Sequence, residues 1–293
     1  SNWTAMSKAH EEPLPPEPTI DAILRSGSYR KARLDTEFLA RADLRGLRLQ
    51  LEYVKVAKLL REQRIHSTIV VFGGTQILDH DRALERLDQA REVLEKAPES
   101  HKVAREAAVA SRILAKSHYY DAAREFAREV STAAQGEDRC DYVIVTGGGP
   151  GIMEAANRGA YEVGAKSIGF NITLPEEQLP NAYITPELCF QFHYFALRKM
   201  HFLVRAKALI AFPGGFGTLD EFFDALCLRQ VHKMQDIPIL LFGKEYWQKV
   251  IDFQFLADEG VIKDSDVELF GYVETATEAW EKIRTFHTAH GTL

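Results

Sequence analysis

The sequence predicts an α/β fold in which a doubly wound parallel sheet carries helices on both faces. Short runs of β-branched and apolar residues alternate with longer amphipathic segments, an order typical of right-handed βαβ units. Three of the short runs end in glycine-rich turns, at residues 73–74, 147–151 and 214–217. Because ligands bind such sheets beyond the carboxyl ends of the strands, we expect these three turns to line one cleft.

The predicted strands are short, and each is followed by a turn or a helical segment. They cover residues 67–72, 142–145, 166–170, 208–212 and 237–242. Apolar residues at helical spacing predict helices within 36–63, 81–135, 152–163, 190–205, 219–231, 246–258 and 275–287. Pro98 and the pair Ser117-His118 are expected to divide the long second segment into two or three helices. Residues 172–186 are predicted to form a loop.

The pattern divides the chain into three parts. Residues 1–20 are polar and proline-rich, so we expect a disordered or loosely packed segment. Residues 21–66 are predicted to form a helical N-terminal extension. Residues 67–293 are predicted to form the main domain, with a helical insertion at 79–118 after the first strand. The chain has 293 residues, 46% of them hydrophobic, which is enough for a large core.

Composition argues against several classes of protein. The formal net charge is -6, without the basic surface of a nucleic-acid binder. No apolar run reaches the ~18–20 residues that span a membrane, and we expect neither a membrane anchor nor a signal peptide. Three scattered cysteines (Cys140, Cys189 and Cys227) argue against a disulfide framework or a structural zinc site. We therefore expect a cytoplasmic protein.

The most informative motif is the turn at 213–221, which reads Pro-Gly-Gly-Phe-Gly-Thr-Leu-Asp-Glu after an apolar run. Glycines allow the backbone to approach a ligand closely, and the following helix start offers unpaired N–H groups to a phosphate. Glu221 would lie one turn into that helix. The motif indicates a phosphorylated ligand beside a carboxylate.

Two interpretations of Glu221 stay open at this point. Thr218 and Glu221 match a capping box, in which the glutamate only bonds back to the helix start. Alternatively, Glu221 has a chemical role. In both cases a carboxylate near a helix N-terminus is expected to be ionised at neutral pH. An ionised carboxylate suits the stabilisation of a cationic transition state or the orientation of water.

The second glycine turn, Gly147-Gly148-Gly149-Pro150-Gly151, also has two interpretations. It resembles a dinucleotide-binding turn, but that motif needs an acidic residue about 20 positions further on, and here the next strand runs into Asn171. We therefore expect no nicotinamide cofactor and no cofactor of another kind. The glycines could instead serve only the close packing of a helix on the sheet.

Arg198 and Lys199 lie in a predicted helix with apolar neighbours. Such charges often form a solvated edge, yet an arginine is well suited to clamp phosphate, ribose or carboxylate. Arginine does not readily lose a proton, so it is not expected to act as an acid. His193 and His201 are expected to pack or hydrogen-bond rather than bind metal, and no metal site is predicted.

Taken together, these motifs resemble the LOG ("Lonely Guy") family of cytokinin riboside 5'-monophosphate phosphoribohydrolases, long labelled lysine decarboxylases. Arg198-Lys199 followed by the 213–221 segment is similar to the family's paired RK and PGGxGTxxE signature. The 147–156 segment resembles its second glycine motif, and 71–75 its first. The similarity covers residues 67–78 and 119–260, and the specific part is the PGGxGTxxE motif.

The resemblance implies a Rossmann-like fold, a homodimer or larger assembly, and hydrolysis of the N-glycosidic bond of a nucleoside 5'-monophosphate. It implies that Arg198 and Glu221 are catalytic. The residues expected to bind substrate or its phosphate are Gly73, Gly74, Gly147, Gly148, Gly149, Lys199, Gly214, Gly215, Gly217 and Thr218. This chain departs from the shorter plant pattern in Phe195-Ala196, in the N-terminal extension and in the insertion. The base, adenine or a prenylated adenine, therefore stays open.

Two other functions remain as alternatives. A protein of this fold could bind a nucleotide without turnover, or carry a phosphorylated pterin such as the molybdenum cofactor. The older label would require a pyridoxal-phosphate decarboxylase with a Schiff-base lysine, for which Lys199 is the nearest candidate.

Overall fold

A computed structural model describes residues 19–136, 140–174 and 179–291. Most of the predicted loose N-terminal segment, residues 1–18, lies outside the described residues. The chain separates into two compact units, Ser1–Leu51 and Glu52–Leu293. No helix among the described residues combines the length and the apolar character needed to cross a membrane.

The first unit is built from short helices. These are α1 (Ile20–Arg25), α2 (Thr36–Leu39), 3₁₀ turns at Gly27–Tyr29, Ala32–Leu34 and Ala42–Leu44, and the beginning of α3 (Arg45–Glu62). Neither α1 nor α2 buries a side chain. Helices this short depend on packing for their stability, because isolated helices below about 12 residues are marginal in water.

The second unit contains a seven-stranded sheet in which every neighbouring pair is parallel. Its strands are β1 (Thr68–Phe72), β2 (Val143–Thr146), β3 (Ser167–Ile172), β4 (Cys189–Phe192), β5 (Ala206–Ala211), β6 (Ile239–Phe242) and β7 (Gly271–Val273). The order across the sheet is β4-β3-β2-β1-β5-β6-β7. The predicted α/β fold is confirmed. The order reverses direction between β1 and β5, and such a switch point is where ligands bind in open parallel sheets.

Helices lie on both faces of this sheet. The helices of this unit are α3, α4 (His80–Lys96), α5 (His101–Ala115), α6 (Ser117–Ala134), α7 (Ile152–Glu162), α8 (Phe195–Val204), α9 (Phe216–Gln230), α10 (Lys244–Val250), α11 (Phe253–Asp258) and α12 (Ala276–Ala289). Helices α4 and α5 contact each other and α6. Strand β1 is buried throughout and contributes to two cores. Val70 and Phe72 belong to the core beneath α3, α8 and α9, while Ile69 and Val71 belong to the core beneath α6, α7 and α12. This alternation follows from the two-residue period of a strand.

Three sequence predictions about the elements were wrong or incomplete. Residues 190–205 were predicted to be helical, but Phe190 and Phe192 lie in β4 and are buried on the same core face. Strand β7 was not predicted, since three residues are too few to show a pattern. The predicted helix at 246–258 is divided, because the Asp252 side chain accepts the N–H of Phe255 and begins α11. The two or three helices expected within 81–135 are observed as three, α4, α5 and α6.

Candidate active site

A cavity of about 310 Å³ lies beyond the carboxyl ends of β1, β2 and β5. These three strands are neighbours at the centre of the sheet, on either side of the switch point. The cavity is lined by Phe72, Gly73, Gly74, Thr75, Gly147, Met153, Arg198, Gly215, Phe216, Gly217, Thr218 and Glu221. Eight of the twelve residues predicted for the site therefore line one cavity.

The glycine turns that frame the cavity are hydrogen-bonded to each other. Gly74 N–H donates to the Pro213 carbonyl at 2.9 Å, and Ile152 N–H donates to the Gly74 carbonyl at 3.2 Å. The first turn is therefore fixed between the other two. At Gly147 a Cβ atom would lie 2.6 Å from Arg198 Nη2, so a glycine is needed there to make room for the guanidinium.

Helix α9 begins at Phe216, three residues earlier than the capping-box interpretation requires. Its N-cap is Gly215, and no side chain caps it. Phe216, Gly217 and Thr218 occupy the first turn, where backbone N–H groups have no partner within the helix. Glu221 lies in the second turn. The capping-box interpretation is wrong, because Glu221 is too far along the helix to bond to its start.

Burial changes the chemistry of Glu221. The residue is only 6% exposed, and loss of solvent raises the pKa of its carboxyl to about 7. The positive charges of Lys199 and Arg198 act in the opposite direction and do not offset burial. The expectation that a helix terminus keeps Glu221 fully ionised is therefore wrong. A carboxyl of this kind exchanges a proton readily near neutral pH.

Arg198 faces Glu221 across the cavity. Its Nε donates to the Phe170 carbonyl at 2.7 Å, and its guanidinium lies 5.2 Å from the Phe202 ring centre. Nη1 lies 3.9 Å from Glu221 Oε1. Burial lowers the pKa of Arg198, although an arginine with an ordinary value above 12 keeps its charge. Arg198 is thus a fixed cation in the cavity wall and does not form a solvated edge.

Lys199 is not among the residues that line the cavity of Arg198 and Glu221. Its Nζ lies 2.7 Å from Asp220 Oδ2 and 2.6 Å from Asp224 Oδ2, and both carboxylates belong to α9. Lys199 is among the residues that line a separate cavity between α8 and α9. The predicted role of Lys199 as a substrate ligand therefore lacks geometric support, because its charge is used to join two helices.

Gly148, Gly149 and Gly214 also lie outside the cavity lining. The Asn181 side chain donates to the carbonyls of Gly148 and Gly149, at 3.3 and 3.0 Å, and these hydrogen bonds fix the second glycine turn. The Gly214 carbonyl accepts the Tyr246 hydroxyl at 2.7 Å. These three glycines shape the turns without facing the cavity.

Four lining residues were not predicted from the sequence: Phe72, Thr75, Met153 and Phe216. Phe216 stands inside the PGGxGTxxE motif, so its position was a usable signal. It is 92% exposed at the mouth of the cavity. The two histidines contact aromatic rings: His201 is buried and stacks on Tyr53, and the His193 ring meets that of Tyr194.

The fold and the cavity define an α/β protein with a buried Arg–Glu pair at the switch point of a parallel sheet. A family model described as "Possible lysine decarboxylase" matches residues 153–283. The chain is 27% identical over 180 residues to cytokinin riboside 5'-monophosphate phosphoribohydrolase LOG3 of Arabidopsis thaliana, covering 60% of this chain and 79% of that protein. It is 27% identical over 187 residues to LOGL3 of Oryza sativa subsp. japonica, a probable enzyme of the same name, covering 60% and 80%.

The resemblance to the LOG family that the motifs indicate is confirmed by these matches. Among solved structures, a molybdenum cofactor binding protein from Rippkaea orientalis is similar with a TM-score of 0.41 and 16% identity, covering 57% of this chain and 87% of that one. The structure of TM1055 is similar with a TM-score of 0.45 and 20% identity, covering 75% and 99%.

Proposed function

We propose that this protein hydrolyses the N-glycosidic bond of a nucleoside 5'-monophosphate and releases the free base and ribose 5-phosphate. The observation that carries the proposal is the pairing of Arg198 and Glu221, 3.9 Å apart, in a cavity closed by the first turn of α9. The names of the curated relatives, which are phosphoribohydrolases of cytokinin riboside 5'-monophosphates, support the same reaction.

The phosphate would lie at the start of α9. Phe216, Gly217 and Thr218 line the cavity and form the first turn, whose backbone N–H groups have no partner within the helix, and the helix dipole adds partial positive charge there. Holding the phosphate fixes the ribose at a set distance from Glu221, which lies one turn further along the helix. Orientation of this kind lowers the barrier of the chemical step.

Glu221 and Arg198 would act on the ribose itself. Departure of the base leaves positive charge on the sugar ring, and an ionised Glu221 stabilises that charge in a site largely removed from water. Because the pKa of Glu221 is about 7, its carboxylate can also take a proton from the attacking water near neutral pH. Arg198 stays charged and would hold a substrate oxygen against the carboxylate.

A nucleobase would extend to the open side of the cavity, beside Phe216. AMP-like and cytokinin riboside monophosphates share the phosphate, the ribose and the purine ring, so both fit the proposal. The lysine-decarboxylase label gains no support from Lys199, which is paired with Asp220 and Asp224 outside this cavity.

We also propose that the protein functions as a homodimer or larger assembly. Helix α8, helix α9 and the residue after α9 expose several large apolar side chains: Phe195, Met200, Val204, Phe223 and Val231, which are 40–58% exposed. We infer that they form an apolar patch of the kind that marks protein interfaces. Light scattering after gel filtration measures the molar mass and decides the question.

The reaction is tested with a panel of nucleoside 5'-monophosphates, scored by chromatography for free base. We expect release of base by the parent protein and none by Glu221→Gln, which should stay folded because glutamine has nearly the same shape. A folded parent protein that releases no base from any common or prenylated monophosphate would contradict the proposal. Tight binding of a monophosphate without turnover would instead favour a carrier or sensor.

A further inference from the structure

The helix that carries Arg198 is held at its start by a residue from far away in the sequence. Helix α8 begins after Tyr194, which supplies no side-chain cap. The backbone N–H groups of His193 and Tyr194 donate instead to the two carboxylate oxygens of Glu52, each at 3.0 Å. Glu52 lies on α3 and begins the second compact unit of the chain.

The neighbouring residue of α3 holds the other end of α8. The Tyr53 ring stacks on His201, with ring centres 5.1 Å apart and an angle of 29° between the rings. His201 is buried, and its ring also lies 5.7 Å from that of Phe192. Two adjacent residues of α3 therefore contact α8 at two places. Glu52 bonds to the backbone just before the helix, and Tyr53 stacks on the seventh residue of the helix, His201. Val56 and Leu60 anchor this part of α3 in the core.

The contact at Glu52 leads to Arg198 through a single residue. Tyr194 donates its N–H to Glu52, and its carbonyl accepts the N–H of Arg198 at 3.2 Å. A carboxylate at a helix start also interacts favourably with the helix dipole. If the start of α8 moved, the Arg198 guanidinium would move relative to Glu221, which it faces without touching at 3.9 Å.

We propose that Glu52 is a positioning residue for Arg198, and that residues 52–60 of α3 support the active centre. The proposal rests on the function proposed above. Glu52 lies outside residues 153–283, the region that the family model matches, and within the predicted N-terminal extension, residues 21–66. The extension would then help to position Arg198, a role that a segment packed only on the surface does not have.

The test compares Glu52→Gln and Glu52→Ala with the parent protein. Glutamine keeps one acceptor oxygen but turns its NH₂ group toward the second N–H, whereas alanine removes both acceptors. Because a small misplacement of a catalytic group costs up to about 100-fold, we expect kcat to fall about tenfold for Gln and more for Ala. KM should change less than twofold, since the start of α9 is untouched. Glu62→Gln, an exposed change on the same helix, is the matched control.

A second measurement does not depend on turnover. Hydrogen exchange followed by mass spectrometry should show faster exchange in the 193–199 segment of Glu52→Ala, with unchanged exchange in α9. Unchanged exchange at 193–199 overturns the proposal, and so does faster exchange with kcat equal to that of Glu62→Gln. If the parent protein releases no base, the proposed function fails instead, and the exchange data still decide whether Glu52 holds α8.

Discussion

Helices α8 and α9 supply the two charged residues of the site, yet they are positioned in different ways. Helix α9 follows β5 directly, and its start is set by the local Pro213-Gly214-Gly215 turn. Helix α8 is fixed by Glu52, more than 140 residues earlier, and by the pairing of Lys199 with Asp220 and Asp224 on α9. The nine residues of the 213–221 motif can specify where α9 begins. The position of α8 depends on contacts that exist only in the assembled fold.

The largest expected effect is on the α8 side, at Arg198. Arg198→Ala removes a fixed cation from the cavity, and we expect kcat/KM to fall about 10²–10³-fold, as for the loss of one preorganised electrostatic group. Arg198→Lys keeps the charge but loses the planar fork that reaches both the Phe170 carbonyl and Glu221, so it should recover little. Steady-state kinetics measure both.

The matched control for this pair is Arg91→Ala, the same substitution at an exposed position on α4. It should behave as the parent protein does. Activity of Arg198→Ala within threefold of that control would show that the cation of α8 has no chemical role.

The next effect concerns the cost of burying Glu221 on α9. Its pKa is about 7 in the folded protein and 4.5 in the ordinary reference state, so the folded protein binds the proton more tightly. The contribution of the Glu221 proton to the free energy of unfolding is therefore fully present below pH 4.5 and is lost as the pH rises through 7. The loss is on the order of 2–3 kcal/mol. Urea denaturation at pH 5 and pH 8 measures this loss.

Glu221→Gln removes the titrating group, so this variant should lose less stability than the parent protein between the two pH values. Glu62→Gln should keep the parent's pH dependence, because that side chain is exposed. Equal pH dependence in the parent protein and Glu221→Gln would show that the buried carboxyl is not protonated in the folded state.

The smallest expected effect tests whether the turn at residues 213–215 determines where α9 begins. An added Cβ at Gly214 would overlap Thr218 Oγ1 and lie 3.0 Å from Gly74 N, while at Gly215 no atom lies within 4 Å. Overpacking of this kind costs about 1–3 kcal/mol. We expect Gly214→Ala to lower the unfolding free energy by about that amount and Gly215→Ala to leave it nearly unchanged. Equal denaturation midpoints for the two variants would contradict the local account.

Local patterns predicted most of the central sheet and much of the site. Strand β1 is an uninterrupted apolar run, and the glycine turns after β1, β2 and β5 follow from the residues themselves. The pattern failed at 190–192, where a buried strand of four residues precedes a helix without a glycine or proline between them. Short apolar runs do not distinguish strand from helix by periodicity.

By itself, the sequence determined the fold class and the glycine turn at 213–217, and it selected Arg198 and Glu221 as candidate site residues, because each depends on residues close together in the chain. Only the tertiary structure decided the strand order, the raised pKa of Glu221, the pairing of Lys199 and the contact of Glu52 with α8. These depend on burial and on contacts between residues far apart in sequence. Desolvation and long-range hydrogen bonds exist only after the chain has packed, so no local motif records them.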